Sequence, residues 1–262
     1  MTPPPAISLR GVRKSFDSGK TFAVDDVSLD IAPGEFLAII GGSGSGKTTT
    51  LRMINRLIEP DAGEVLIEGE SVAALPGHAL RRRMGYVIQG VGLFPHLTIA
   101  ENIAITPKLL DWPRQKIDAR VNALLDLVEL PAAEYAQRMP AALSGGQRQR
   151  IGVARALAAK PHIVLMDEPF GALDPLTRDT LTEAYRKLHD QLGVTSVMIT
   201  HDVQEALLMA DRLAVMADGK LLALGTPQEL AQSGLDARVR ALLDMPRRQA
   251  RRVRDRLADA NG

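Results

Sequence analysis

The sequence predicts an α/β fold with a mostly parallel sheet at its core, an antiparallel β part and an inserted α-helical part. Four apolar residues without alternation, Ile163–Met166, are typical of a strand that a parallel sheet buries on both faces. Apolar and polar residues alternate between Val24 and Ile31, which indicates a half-buried antiparallel strand. From Phe94 to Ala159 the pattern is mostly helical, so a helical segment interrupts the strands.

The composition is that of a globular protein and disfavours several functional classes. Lys and Arg together number 32 against 31 Asp and Glu, a balance that argues against a dedicated nucleic-acid binder. No run approaches the roughly 18 apolar residues of a membrane span. The start, Met1–Pro5, lacks the basic end and apolar core of a signal peptide. The absence of cysteine excludes disulfides and thiolate chemistry and fits a cytosolic protein.

Local patterns predict the remaining elements. A strand is expected from Ile7 to Phe16, before a turn at Ser18-Gly19, and Pro33-Gly34 turns the chain into the strand Glu35–Ile40. Further along, the patterns predict a helix over Thr49–Leu57, an edge-type strand over Glu64–Gly69, a strand ending at Gln89, a helix over Leu176–Leu192, a strand over Ser196–Thr200 and a hairpin around Asp218-Gly219.

Within the helical segment, Thr98 and Glu101 form a capping box at the start of a helix, and Pro107 is expected to end that helix. Pro113 begins a second helix, whose apolar stripe is expected to be core: Ile117, Val121, Leu124, Leu125 and Val128. We expect one domain over residues 1–262. Its core would take about 5–93 and 160–230, a helical subdomain about 94–159, and a basic helical tail about 231–262.

The strand Glu35–Ile40 runs into a glycine-rich loop, Gly41–Thr48, and then into a helical pattern. This is the context that the phosphate-binding motif G-x-x-x-x-G-K-[ST] requires. Glycines with positive φ turn successive N–H groups toward an anion, and we expect this of Gly42, Gly44 and Gly46. Lys47 would reach the β- and γ-phosphates, and the Thr48 hydroxyl would bind Mg²⁺. A glycine-rich turn without a ligand is the alternative, which the strand–loop–helix order disfavours.

Asp167 and Glu168 follow a buried strand, at the sheet edge where open α/β folds bind ligands. An aspartate there suits a second contact to Mg²⁺, and the adjacent glutamate can accept a proton from an attacking water. A pair of acids that only caps a helix is the alternative.

A second candidate anion site lies at Leu143–Gln147, where Ser144 and two glycines precede a helical run. One chain needs one cradle for one ATP, so this site makes sense if it closes on the γ-phosphate held by a partner chain. An ordinary capped helix is the alternative.

Taken together, these motifs resemble the ATP-binding subunit of an ATP-binding cassette (ABC) transporter, over about residues 5 to 230. The resemblance implies a P-loop NTPase (RecA-like) fold, ATP and Mg²⁺ as cofactors, and two subunits facing head to tail. The nucleotide-binding residues that it implies are Phe16, Gly41, Gly42, Ser43, Gly44, Ser45, Gly46, Lys47, Thr48, Thr49, Ser144, Gly145, Gly146, Gln147 and Asp174.

The resemblance also implies individual roles. Phe16 would stack on adenine, where tyrosine is commoner, and Glu168 would be the general base. His201 would contact the γ-phosphate, and Gln89 would sense Mg²⁺ and the γ-phosphate. The implied catalytic residues are therefore Glu168, His201 and Gln89, and the implied metal-binding residues are Thr48, Gln89 and Asp167; Asp174 would lie in a loop that communicates across the dimer.

The segment from Tyr86 to Trp112 resembles importers for quaternary-amine osmoprotectants such as glycine betaine, carnitine and choline. The implied partners are a second copy, transmembrane permease subunits and a solute-binding protein, with indirect membrane contact at the cytoplasmic face of the inner membrane. Two departures stand out: Gly90 replaces a usual second glutamine, and the regulatory CBS modules of many such relatives are not expected in this chain.

Alternatives stay open at this stage. An ABC importer ATPase for another solute is one, and a non-transport ABC ATPase acting on nucleic acid or the ribosome is the less favoured other. The arginines after Pro246 either contact anionic lipid headgroups or form a solvated terminal helix.

Overall fold

A computed structural model describes residues 4–90, 92–232 and 236–259. The strands are β1 (Ile7–Lys14), β2 (Val24–Ile31), β3 (Phe36–Ile40), β4 (Ala62–Ile67), β5 (Glu70–Ser71), β6 (Met84–Val87), β7 (Ile163–Asp167), β8 (Thr195–Ile199), β9 (Arg212–Ala217) and β10 (Lys220–Gly225). The helices are α1 (Lys47–Ile54), α2 (Gly77–Arg82), α3 (Ile99–Leu109), α4 (Arg114–Leu127), α5 (Ala132–Tyr135), α6 (Gly145–Leu157), α7 (Pro175–Leu192), α8 (Val203–Met209), α9 (Pro227–Leu230), α10 (Ala237–Leu243) and α11 (Met245–Asp259).

The main sheet has the strand order β10-β9-β3-β8-β7-β6. Strands β9, β3, β8, β7 and β6 are parallel, and β10 joins β9 as an antiparallel hairpin. All five residues of β3, β7 and β8 are buried, because both faces of the sheet are covered. Phe36, Ala38 and Ile40 of β3 point into one core, and Leu37 and Ile39 into the other.

A second sheet is antiparallel, with the order β2-β1-β4-β5. The predicted alternation of β2 is confirmed, since Val24, Val27, Leu29 and Ile31 are buried between more exposed residues. The edge-type strand expected over Glu64–Gly69 is β4, which lies between β1 and the two-residue β5 rather than at a free edge.

The strand predicted to run from Ile7 to Phe16 ends at Lys14. The Ser15 N–H leaves the ladder and donates to Asp61 Oδ2 at 2.7 Å, so Phe16 lies in the turn beyond the strand. A hydrogen bond to a carboxylate 46 residues away therefore ends the strand.

Helices α3 to α6 form the helical part that the sequence predicted, and the apolar stripe of α4 is buried in the core with them. The expectation that Pro107 ends α3 was wrong, because the helix continues to Leu109. Only two helical residues follow the proline, and the helix end is closed by hydrogen bonds from the Leu110 N–H to the Thr106 and Pro107 carbonyls. The missing proline N–H therefore costs a single bond near the helix end.

The α10 and α11 helices follow, and α11 carries the arginines noted in the sequence, on exposed positions. Among the described residues, no helix combines the length and apolar character needed to cross a membrane.

Candidate functional site

The candidate site lies at the carboxyl ends of three neighbouring parallel strands. The glycine-rich loop follows β3, Asp167 and Glu168 end β7, and His201 follows β8. Because the strand order is β3-β8-β7, these three segments meet at one sheet edge, although up to 160 residues separate them along the chain. The expectation that they would meet follows from parallel-sheet geometry.

The glycine-rich loop has left-handed backbone at two of the three glycines expected to need it, Gly44 (φ 75°) and Gly46 (φ 98°). The expectation for Gly42 was wrong, because its φ is not positive. Its neighbour Gly41 carries the constraint instead: a Cβ there would collide with the Met216 carbonyl of β9. This contact is made with a neighbouring strand, so the residues around Gly41 in the sequence do not predict it.

Lys47 is the first residue of α1, and its side chain folds back over the loop. Its Nζ donates to the Gly41 and Gly42 carbonyls at 2.8 Å and 2.7 Å, and to Ser45 Oγ at 3.3 Å. The residue is only 8% exposed, and this burial lowers the pKa of its ammonium group despite the nearby carboxylates of Glu168 and Asp167. The ammonium therefore lies at the loop with its donors already directed into the loop interior. Ser43 is exposed, and Thr49 is half-buried.

Asp167 is a buried carboxylate beside Thr48. Its Oδ1 accepts a hydrogen bond from Thr48 Oγ1 at 3.3 Å, and the residue is 1% exposed. Its Oδ2 is buried and has no hydrogen-bond partner in the described part of the chain. Burial raises the pKa of this carboxyl above its usual range, with a partial offset from Thr48, Arg52 and Lys47. A hydroxyl and a carboxylate with one unused oxygen suit Mg²⁺, which prefers oxygen ligands.

Glu168 is held in place through both its backbone and its side chain. Its backbone is left-handed (φ 50°), and its N–H donates to the Ile199 carbonyl of β8 at 2.9 Å. Its Oε2 accepts from Gln89 Nε2 at 3.2 Å, and its Oε1 lies 3.3 Å from His201 Nδ1. The three residues singled out as catalytic in the sequence are thus in contact, with the carboxylate between the amide and the imidazole.

The α6 start forms a complete capping box. Ser144 Oγ accepts from the Gln147 N–H at 3.2 Å, and Gln147 Oε1 accepts from the Ser144 N–H at 2.9 Å. Ser144 and Gly145 are exposed, and Gly146 is half-buried. Among the described residues, the side-chain hydrogen bonds of Ser144 and Gln147 join them to each other and to Tyr135, and none goes to the glycine-rich loop. This helix start is therefore open to solvent at Ser144 and Gly145.

Asp174 and Phe16 are two further residues that the sequence assigned to the site. Asp174 is the N-cap of α7. Its carboxylate accepts a hydrogen bond from the Thr177 N–H at 3.0 Å, and this bond lowers the pKa of the carboxyl. Phe16 is 66% exposed, with Lys14 Nζ 5.7 Å from its ring centre. An aromatic ring this exposed could stack on a planar base.

Sequence reasoning missed Gln149, a residue of α6 that is 7% exposed. Its amide hydrogen-bonds to the backbone of Glu168 and of Ala172, in the loop 19 to 23 residues further along the chain. The sequence held one signal of this role. The helical spacing of α6 places position 149 on the buried face of the helix, where an amide needs hydrogen-bond partners.

Comparison with known proteins identifies the family. The family model described as ABC transporter matches residues 24–171, more than half of the chain. The chain belongs to the ABC transporter family. The resemblance inferred from the motifs is therefore confirmed.

Three curated members of this family are among the relatives. The choline transport ATP-binding protein OpuBA of Bacillus subtilis is 52% identical over 88% of this chain and 60% of its own length. The glycine betaine/carnitine/choline transport ATP-binding protein OpuCA of the same organism is 52% identical over 87% of this chain and 59% of its own length. The glycine betaine uptake system ATP-binding protein YehX of Escherichia coli is 50% identical over 84% of this chain and 71% of its own length. The chain thus spans about three fifths of the first two.

Solved ABC cassettes share the fold. The dimeric bacterial ABC transporter cassette MJ0796 gives a TM-score of 0.77 at 35% identity. The matched region covers 84% of this chain and 98% of the MJ0796 chain. A dimer described as a post-hydrolysis state of the same cassette, bound to ADP and Pi, gives a TM-score of 0.76 at 34% identity, with the same coverage. The predicted fold class is confirmed.

Proposed function

We propose that this chain is the ATP-hydrolysing subunit of an ABC importer. The observation that carries the proposal is the Glu168 carboxylate, which lies between Gln89 and His201 at the sheet edge that also holds Lys47 and the Thr48–Asp167 pair. A general base must be within reach of water and near the γ-phosphate, and the 29% exposure of the Glu168 side chain and its place at this sheet edge support that role.

In the proposed reaction, ATP binds with its phosphates along Gly41–Thr48. On binding, Lys47 exchanges the Gly41 and Gly42 carbonyls for β- and γ-phosphate oxygens. Water attacks the γ-phosphorus, and the bond from that phosphorus to the bridging oxygen of ADP breaks. Glu168 takes the proton of the water, while His201 and Gln89 hold the carboxylate and orient the γ-phosphate.

Thr48 and Asp167 would hold Mg²⁺, because a buried carboxylate oxygen of Asp167 is without a partner among the described residues. Gln89 is a third candidate ligand. When bound, the ion neutralises charge on the β- and γ-phosphates. The buried Asp167 and the half-buried Thr48 also keep this end of the site rigid, since both belong to elements packed in the core.

We further propose that two copies act head to tail. The exposed start of α6 (Ser144, Gly145, Gly146 and Gln147) would then close on the γ-phosphate bound to the partner's loop, and Asp174 would lie at the same interface. The description of the related cassette MJ0796 as a dimer supports this arrangement. Transmembrane permease subunits and a solute-binding protein would complete the importer, with this chain at the cytoplasmic face of the inner membrane.

The proposed cargo is a quaternary-amine osmoprotectant such as glycine betaine. The support is the identity of 50% or more to relatives named for choline, carnitine and glycine betaine. A second candidate is a different solute, because the sulfate/thiosulfate import protein CysA of Bacillus cereus is 45% identical and the spermidine/putrescine import protein PotA of Thermotoga maritima is 44% identical.

Two experiments test these proposals separately. Purified wild-type protein should hydrolyse ATP with Mg²⁺, and Glu168→Gln should abolish turnover while trapping an ATP-bound dimer. Undiminished hydrolysis by that variant would remove Glu168 from the role of base. For the cargo, uptake of labelled glycine betaine, choline, carnitine, a sulfonate and an amino acid is compared in cells with and without the gene. Loss of quaternary-amine uptake alone, restored by wild type but not by Lys47→Ala, is the expected result.

A further inference from the structure

The side chain of Gln149 joins α6 to the loop from Glu168 to Asp174, which follows β7. It belongs to the second turn of α6, five residues after Ser144, and is 7% exposed. Its Nε2 donates to the Glu168 carbonyl at 2.8 Å, and its Oε1 accepts from the Ala172 N–H at 2.9 Å. A backbone carbonyl can only accept and a backbone N–H can only donate, so the orientation of this amide is unambiguous.

The two bonds hold the loop from Glu168 to Asp174 against α6. The backbone of Glu168 is held on both sides of its Cα, since its N–H donates to the Ile199 carbonyl of β8 and its carbonyl accepts from Gln149. The left-handed backbone at Glu168 needs such support, because a non-glycine residue in this region is strained. The Ala172 N–H, two residues before Asp174, is fixed by the same side chain.

We propose that Gln149 is a positioning residue that couples the two ATP sites of the dimer. This inference rests on the proposed function and deepens it. In the head-to-tail pair, the start of α6 would contact the ATP of the partner, whereas Glu168 of the same chain would act on the chain's own ATP. Gln149 connects these two groups through one rigid amide, so closure of α6 on the partner's γ-phosphate also sets the position of the base in its own chain.

The test replaces Gln149 with methionine, which has the same length and neither a donor nor a strong acceptor. Gln191→Met is the matched control, since it makes the same chemical change at an exposed position near the end of α7. Three quantities are measured for each: the single-turnover rate of ATP hydrolysis, the binding of a fluorescent ATP analogue to the monomer, and ATP-induced dimerisation in the Glu168→Gln background. In that background the base is absent, so any change in dimerisation must act through α6 or the loop to Asp174.

We expect Gln149→Met to lower the single-turnover rate by about tenfold to about a hundredfold, the loss typical of a displaced catalytic group. In the Glu168→Gln background it should raise the ATP concentration needed for dimerisation by about fivefold, as expected for the loss of a net hydrogen bond. Monomer binding of the analogue should not change, because Gly41–Thr48 is untouched. Gln191→Met should match the parent in all three measurements.

Other outcomes overturn the proposal. A lower rate with unchanged dimerisation would mean that Gln149 supports only its own Glu168, and weaker binding of the analogue by the monomer would place its effect at the glycine-rich loop. If the methionine variant unfolds at the assay temperature, Gln149→Leu replaces it, and unfolding of both would make Gln149 a purely structural residue. A wild-type protein that neither hydrolyses ATP nor dimerises with it would instead refute the proposed function.

Discussion

Replacing Asp167 with asparagine should stabilise the ligand-free protein and remove its stabilisation by Mg²⁺ and ATP. The carboxylate is 1% exposed, and its described hydrogen bond is the one from Thr48 at 3.3 Å. Its second oxygen is buried without a partner among the described residues. Because burial raises the pKa of this carboxyl, its ionised form destabilises the folded state at neutral pH. The site thus carries a cost that binding of a cation would offset.

The size of this cost follows from the contacts. An unsatisfied buried polar group costs about 1–3 kcal/mol, and more when it is charged. Lys47 and Arg52 offset part of that cost, since both lower the pKa of Asp167. We therefore expect Asp167→Asn to raise the free energy of unfolding by about 1 kcal/mol, which corresponds to about 2–4 °C in melting temperature for a chain of this size. The pH dependence of this gain has a definite sign. A carboxyl whose pKa is raised in the folded state destabilises that state at pH values above the raised pKa. The stability gained by Asp167→Asn should therefore shrink as the pH falls through that pKa.

The assay is thermal unfolding followed by circular dichroism at neutral pH, with a chelator and without nucleotide. Glu168→Gln is the control, because it makes the same chemical change at the next residue, whose side chain is 29% exposed and has partners for both oxygens. At ATP near 100 times its dissociation constant with Mg²⁺, wild type should gain about 2.7 kcal/mol, and Asp167→Asn should lose most of this gain. A lower melting temperature for Asp167→Asn in the chelator, or full protection by Mg²⁺ and ATP, would refute the reasoning.

Three further predictions concern stability and nucleotide binding. His189 is hydrogen-bonded at both ring nitrogens, and burial lowers its pKa below 6.5. The free energy of unfolding should therefore fall as the pH drops below about 6.5, by at most about 1.4 kcal/mol per pH unit, and less steeply in His189→Gln. Equal slopes of unfolding free energy against pH for the two proteins, measured by urea denaturation, would contradict this. Thr98→Ala removes the capping box of α3 and should lower the free energy of unfolding by about 1 kcal/mol in the same assay, whereas Thr180→Ala on the exposed face of α7 should change it little. Phe16→Ala should raise the KM for ATP by about threefold to tenfold and Phe16→Tyr should not, so an unchanged KM in the alanine variant would exclude stacking.

Features encoded by a few adjacent residues were predictable from the sequence. The Asp218-Gly219 turn has positive φ at both residues (50° and 76°), as a two-residue hairpin requires. The Thr98 capping box forms as predicted, with the expected reciprocal bonds to Glu101. In each case the interaction joins residues no more than three apart, so the rest of the fold has little influence on it.

Predictions failed where a distant segment decided the outcome. The strand β1 stops at Lys14 because Asp61 captures the next N–H, and the loop needs glycine at Gly41 because Met216 of β9 approaches it there. Pro107 is a local exception, because α3 extends only two residues beyond it. The contacts made by Asp61 and Met216 have no signal in the residues next to them.

By itself, the sequence determined the class of the fold and the chemical groups of the candidate site. Strand patterns and the glycine-rich motif set the order of the segments, and a parallel sheet brings the ends of β3, β8 and β7 to one edge. Only the tertiary structure decided how those groups are held. The contacts of Glu168 with Gln89 and His201, the Asp167 oxygen without a partner among the described residues and the bridging amide of Gln149 depend on packing between segments remote in sequence. Periodicity reports which face of an element is buried, whereas the partner of a buried polar group depends on which segments pack against that face.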